Sequence, residues 1–387
     1  MDSLTLYRTI LELVITSRVH FHDKRCLMTF VWAIVGVLME KCVHLSRWSN
    51  RRPGEVQAAS KQRQFARWLK NEKVQEVAIY RPLAKRALAS WAGEKIFLAL
   101  DSSSLWGRFV IVRVALIYRG RALPLSWLVK EHASSSVAFE DYKPILKDAA
   151  AILPPGCRVI LLADRGFADN DLFCLARDLG WSFRIRLKQS LRVYRASKPS
   201  TTIGRLMPEK GKALFVHKVW LTDRFFGPVY LALAHAKTRN GFEAWAMVSD
   251  EPTNLRSFDE YGLRFDLEEN FLDDKSAGFQ IEASEIRNAA MLSRLGLILA
   301  TTTLYLISTG TAVVHWGLRR CVDTHWNRGL SYFQIGWRWI EHALARGAHL
   351  VPRFWLEPGP DPYPVYASSR QAASPVATLF DLRLEIS

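Results

Sequence analysis

Three carboxylates and a run of mixed polar residues define the chemistry open to this chain. Asp101 follows the apolar run KIFLAL, Asp164 ends RVILLAD, and Glu268 lies within YGLRFDLEENFLDDK. In that last segment Tyr261, Arg264, Glu268 and Lys275 keep the spacing Y-x2-R-x3-E-x6-K. At about 100° per residue on a straight α-helix, the four fall within roughly 60° of one another, while Asp266 and Glu269 turn away. A face carrying both charges and an aromatic is a poor core stripe and a good surface for phosphate and metal. The plainer alternative is a salt-bridged helix in which Glu268 pairs with Arg264 four residues back.

Carboxylates at the ends of adjacent parallel strands converge, and a third from a helix above them completes an all-oxygen site suited to Mg²⁺, with Mn²⁺ as a substitute. Two such ions about 3.5–4 Å apart activate a water or a 3′-hydroxyl and stabilise the leaving oxygen of an in-line phosphodiester displacement. Arg264 offers a fork and Lys275 a point charge for flanking phosphates. Tyr261 is suited to donating to a phosphate oxygen or to stacking.

These residues need a scaffold, and the chain has room for one. It runs to 387 residues, 49% hydrophobic and 23% charged, the composition of a folded protein with more than one domain. Its net charge of +16 points to a polyanionic partner, and double-stranded DNA is the expected one. The excess is uneven: Ser46 to Ser90 holds eleven Lys and Arg against three Glu. Within it SKQRQFARWLKN reads as a basic amphipathic helix, with Arg63, Arg67 and Lys70 on one side, suited to a phosphate backbone; a solvated helix face reads the same way. Five cysteines without C-x-x-C spacing and ten unclustered histidines argue for a reducing compartment and against structural zinc. The start MDSLTLYRTI lacks the pattern of a secretory leader, so a cytoplasmic location is expected. The uncharged stretch Leu295 to Val314 is long enough for a membrane span, but its Thr, Ser and Gly content favours a helix buried within the fold, and no membrane partner is expected.

Residues 1–92 read as a helical domain, with LYRTILELVI, TFVWAIVGVLMEKCVHL and QRQFARWLKN at helical spacing. From 93 to 190 the order is three strands, helix, strand, helix, strand, with Gly120 at a hairpin turn. Short β-rich runs fill 191–250 as an insertion. Helical texture returns over 251–318, carrying the Tyr-Arg-Glu-Lys segment. The last region, 319–387, is Trp- and Arg-rich before a Pro-rich tail, and its composition suggests a dimer or DNA contact. The class is α/β.

The Y-x2-R-x3-E-x6-K pattern resembles that of DDE cut-and-paste transposases of bacterial insertion sequences, the YREK group. ALDSSS around Asp101 and LLADRGFAD around Asp164 are similar to the family's other two acidic motifs, and the resemblance spans residues 60–285. It implies an RNase H-like core, a mixed five-stranded sheet with helices, interrupted by the β-rich insertion. It implies that Asp101, Asp164 and Glu268 bind two Mg²⁺, and that Tyr261, Arg264 and Lys275 contact DNA phosphates. By the same resemblance Trp245 in AWAMVSDEP stacks on a flipped base, with a place in the core as the plainer reading of a tryptophan in a β-rich run and Trp220 as competitor, and Arg165 binds phosphate or braces its loop. The implied reaction is nicking at the element end, hairpin formation by the freed 3′-OH, hairpin opening and strand transfer, by a homodimer assembled on the ends and target DNA. The alternatives are an RNase H-like nuclease without strand transfer and a domesticated DNA-binding protein.

Overall fold

The computed structural model describes residues 3–134, 136–238 and 241–364; the tail beyond 364, part of the expected 319–387 region, lies outside the described residues. Five helices come first: α1 (Ser3–Thr16), α2 (Lys24–Glu40), α3 (Leu45–Arg51), α4 (Ala58–Lys70) and α5 (Glu76–Ala87). Apolar periodicity sets them, and Asp23 caps α2 by accepting from the Cys26 N–H at 2.6 Å.

Strands β1 (Lys95–Leu105), β2 (Phe109–Tyr118) and β3 (Arg121–Glu131) form an antiparallel meander. The β2–β3 turn is tight because Arg119 and Gly120 both take positive φ, 49° and 80°, the geometry that matches strand twist. After α6 (Phe139–Ala150), β4 (Arg158–Ala163) lies parallel to β1; after α7 (Asn170–Asp178), β5 (Ser182–Arg186) lies parallel to β4.

The chain then continues through β6 (Arg192–Arg195), β7 (Lys198–Thr202), the short α8 (Ile203–Leu206), β8 (Ala213–Leu221), β9 (Phe226–Thr238) and β10 (Gly241–Ser249). These strands do not form a separate unit beside a five-stranded sheet. Strand β10 pairs antiparallel with β5, Met247 opposite Arg186 and Ser249 opposite Arg184, giving one ten-stranded sheet in the order 3-2-1-4-5-10-9-8-6-7. The physical reason is edge closure: without β10, β5 would leave a row of backbone N–H and C=O groups unpaired.

Four helices complete the fold: α9 (Leu255–Gly262), α10 (Phe265–Leu272), α11 (Ala289–His315) and α12 (Tyr332–Arg346). Helix α11 contains the uncharged stretch and has the length and apolarity of a membrane span, yet every residue of that stretch except the half-buried Gly296 is buried, packed by α2, α4, α5, α12 and β3. One hydrophobic core runs without interruption from Leu6 in α1 to Leu356 beyond α12. The N-terminal helices are thus fused to the C-terminal ones, with Arg294 of α11 donating to the Leu69 carbonyl at 2.8 Å and the Trp337 indole N–H to that of Leu38 at 2.9 Å.

Candidate active site: a carboxylate cavity at the ends of two parallel strands

Strand register brings the first two carboxylates together. Strands β1 and β4 pair from Lys95 opposite Arg158 up to Leu100 opposite Ala163. Asp101 and Asp164 are the next residue on each side, so they stand at the level where β4 stops. Asp101 does not end its own strand, as the apolar run suggested; β1 continues to Leu105 because β2 still pairs with it, Asp101 opposite Arg113. The chain after Asp164 turns at once into a 3₁₀ turn, Arg165–Phe167.

Glu268 comes from α10, which packs on β1, β2 and β3. The Tyr-Arg-Glu-Lys segment is not one straight helix. An Asn254 capping box starts α9, the helix ends at Gly262, α10 begins at Phe265, and a π turn occupies Asp273–Ala277. Leu263 and Arg264 keep near-helical φ and ψ across the break, so Tyr261, Arg264 and Glu268 still share a face. Lys275 comes off the π turn, a form of helix that recurs at functional sites. A buried ion pair anchors that turn: Arg113 of β2 donates to Asp274 at 2.6 Å and to Asn270 of α10.

The result is an open cavity of about 380 Å³ lined by Asp101, Ser102, Asp164, Arg264, Glu268 and Lys275, with Ser103, Phe271 and Leu272 completing the wall. Glu268 is half exposed there, and Lys275 on the rim forms no ion pair with the described residues. Burial pushes the Asp101 carboxyl up to about 6, against the opposing pull of Arg264 and the Ser102 N–H at 2.8 Å; the charges of Glu268 and Asp164 add to the rise.

Arg264 lies in the floor of this cavity rather than on a surface open to phosphate, with only 5% of its side chain exposed. One η nitrogen pairs with Asp101, the other donates to Glu268 at 2.7 Å, and Nε donates to the Tyr261 hydroxyl at 3.2 Å. Three carboxylate and phenol partners hold its pKa even further above the ordinary arginine range, despite a desolvation that works the other way. Tyr261 is fully buried, and its hydroxyl donates to Asp164 at 3.5 Å. The expected phosphate contacts of Tyr261 and Arg264 therefore differ from what the fold presents: both cross-link the three acidic positions from beneath, because a long buried arginine must satisfy its donors.

The donor set, all carboxylate oxygen, suits a hard divalent cation in kind. Among the described residues no three acidic, His or Cys groups stand close enough to hold an ion as placed, since Arg264 spans Asp101 and Glu268.

The remaining expected contacts fall elsewhere. Trp245 of β10 is 3% exposed and presents no ring face; it packs edge-on to Tyr261 at 5.2 Å and tilted on Phe265 at 5.8 Å, in a small core with Phe258 and Met247. Its place here is in the core beside Tyr261, with no ring face open to a base. Trp220 of β8 is half-buried against Gly227, where a Cβ would lie 2.7 Å from the indole. Arg165 is exposed beside the cavity. Arg63, Arg67 and Lys70 are all exposed on α4, and the last two line an open groove of about 780 Å³ with Arg25 and Arg52.

Arg186 was missed. It is buried on β5, with Nη1 3.8 Å from Asp164 and Nη2 2.6 Å from Glu243, and its guanidinium sits 5.4 Å from the Trp245 ring centroid. The signal was present in WSFRIRLK: two arginines at period two inside an apolar strand must be buried and paired.

No protein-family model matches the chain, and no curated protein matches it. Among solved structures it is similar to a cryo-EM structure of the piggyBac transposase synaptic complex with hairpin DNA, at 12% identity and a TM-score of 0.41, over 97% of this chain and 89% of that one.

Proposed function

We propose that this protein is a DNA transposase of the DDE type, of the bacterial insertion-sequence YREK group, that binds the ends of its element and cuts and joins phosphodiester bonds. The observation that carries the reading is the register: Asp101 and Asp164 share one level at the end of β4, with Glu268 facing them across one cavity. The strand order 3-2-1-4-5, with β1 antiparallel to β2 and parallel to β4, supports an RNase H-like core for residues 93–190.

On this reading Asp101, Asp164 and Glu268 would hold two Mg²⁺, or Mn²⁺, once Arg264 yields Asp101 and Glu268 to them, and the ions would supply Lewis-acid stabilisation and activation of the attacking oxygen. The chain's own residues do the rest. Arg264 and Tyr261 fix the relative placement of the acidic groups from below, as Arg186 does for Asp164. Lys275, without an ion pair among the described residues, neutralises a phosphate flanking the one attacked, and the exposed Arg165 next to Asp164 does the same for another. The same displacement with a water or a 3′-hydroxyl as nucleophile accounts for nicking, hairpin formation and strand transfer. Two ends require two cavities, hence a homodimer assembled on double-stranded DNA, acting in the bacterial cytoplasm.

The basic groove between α2 and α4 is the duplex contact in this account. Each phosphate neutralised by a Lys or Arg releases counterions and steepens the salt dependence of binding. Replacing Arg67 and Lys70 together by Ala is expected to lower the slope of log K against log salt by about 2, one per contact, measured by fluorescence anisotropy on a labelled duplex. An unchanged slope would remove α4 from the interface.

A further inference from the structure

The connection between α11 and α12 presents a tryptophan that the fold itself does not use. Trp326 is 84% exposed, more than any other large hydrophobic side chain among the described residues. Its loop is nevertheless tightly built. Asp323, at 0% exposure, accepts from Arg319 Nη1 at 2.8 Å and from the backbone N–H groups of His325 and Gly329 at 3.2 and 3.1 Å. The same carboxylate lies 2.7 Å from His325 Nδ1. Arg319 also donates to the carbonyls of His325 and Trp326, at 3.1 and 2.9 Å. Gly329 passes so close to the His325 ring that a Cβ there would lie 2.3 Å from it. The backbone on both sides of Trp326 is thus fixed while its indole faces outward.

The surroundings of that indole are cationic. The exposed Arg320 guanidinium lies 5.4 Å from its ring centroid and donates to the His325 carbonyl at 3.4 Å, which holds it beside the ring. The only carboxylate from Arg319 to Gly329 is Asp323, which is buried and fully engaged. A hydrophobic partner would gain from the indole but not from the exposed arginine beside it. A nucleobase with its flanking phosphate uses both, stacking on the ring and pairing with the guanidinium group.

We propose that Trp326 is a stacking platform for an unpaired nucleotide of DNA, with Arg320 meeting a flanking phosphate. The proposal rests on the reading of this chain as a DNA-processing protein, but it shares no residue with the carboxylate cavity. Because the loop is already ordered, little freedom is lost when the base docks, and stacking appears almost undiminished in the affinity. A duplex with every base paired has no face to offer the indole, so the site selects strands that are unpaired.

The test compares the full chain with its Trp326→Ala and Trp326→Phe variants, titrated by anisotropy against a labelled single-stranded oligothymidylate and a labelled duplex. The variants are expected to keep the thermal midpoint, since an exposed ring holds nothing together. Trp326→Ala is expected to weaken oligothymidylate binding roughly tenfold to a hundredfold, the range for losing one stacked base, with duplex binding changed less than about threefold. Trp326→Phe is expected to recover most of the loss. Equal affinity of wild type and Trp326→Ala for oligothymidylate overturns the proposal while leaving the DNA reading intact. A wild-type chain that binds neither probe overturns both. A change in sedimentation from dimer to monomer in Trp326→Ala, with oligothymidylate binding unaltered, assigns the indole to a second copy of the chain instead.

Discussion

Replacing Glu268 by Ala is expected to abolish cleavage of element-end DNA while leaving end binding within about twofold. Glu268 is half exposed, accepts a single hydrogen bond from Arg264 and lies under no apolar layer, so its removal leaves no cavity in the core. What disappears is one of three charges that the account assigns to metal, and loss of one preorganised charge-stabilising group costs roughly 10²–10³-fold in rate or more. The basic groove that the account assigns to the duplex is on other elements and keeps its charge. The measurement is a time course of end-DNA nicking beside a binding isotherm for wild type and variant. Substantial cleavage by the variant would remove Glu268 from the chemistry. Parallel loss of binding and cleavage would instead make it a contact residue.

The second large effect concerns stability. Helices α11 and α12 cross with glycine on both sides: a Cβ on Gly336 would lie 1.9 Å from the Leu306 carbonyl oxygen, and one on Gly310 would lie 2.0 Å from that of Tyr332. Both obstacles are backbone, which cannot rotate aside, so the helices must separate to admit even a methyl group. Overpacking a core costs typically 1–3 kcal/mol, and a clash of this depth falls at or above the upper end. Gly336→Ala is expected to lose about 3 kcal/mol or more of folding stability, read as a lowered midpoint in urea, and Gly310→Ala to behave alike. Ala is a better helix former than Gly by about 1 kcal/mol, so an increase in stability would show that the helices do not approach this closely.

How far the sequence revealed this arrangement can be traced through single residues. Asp164 was legible because an apolar run ending in an acid marks a buried strand that stops at a surface, and Asp101 by the same pattern, although its strand runs on to Leu105. The burial of α11 was legible from uncharged residues on every face. Strand β10 joining β5 was not, because pairing between residues some sixty positions apart leaves no local trace in either run. The depth of Arg264 was hidden for a related reason: helical geometry placed it on the same stripe as Glu268 and Tyr261, but not whether that stripe faced solvent or sheet. Whether Trp245 faced solvent or core was open in the same way. Its strand reads as amphipathic until β9 and α9 close over it. The π turn at Asp273–Ala277 is held on β2 and β3 by Arg113 and Arg121, tertiary contacts that periodicity cannot encode.

The most direct test of the central claim is incubation of the purified chain with labelled DNA carrying its own element's end, in Mg²⁺ or in EDTA, resolved on a denaturing gel. The account expects a nick at the element boundary in Mg²⁺ alone, followed by a product of hairpin mobility. Stable binding with no strand broken in Mg²⁺ or Mn²⁺ would contradict it, and the carboxylates at the end of β4 would then be held by Arg264 and Arg186 for structure alone.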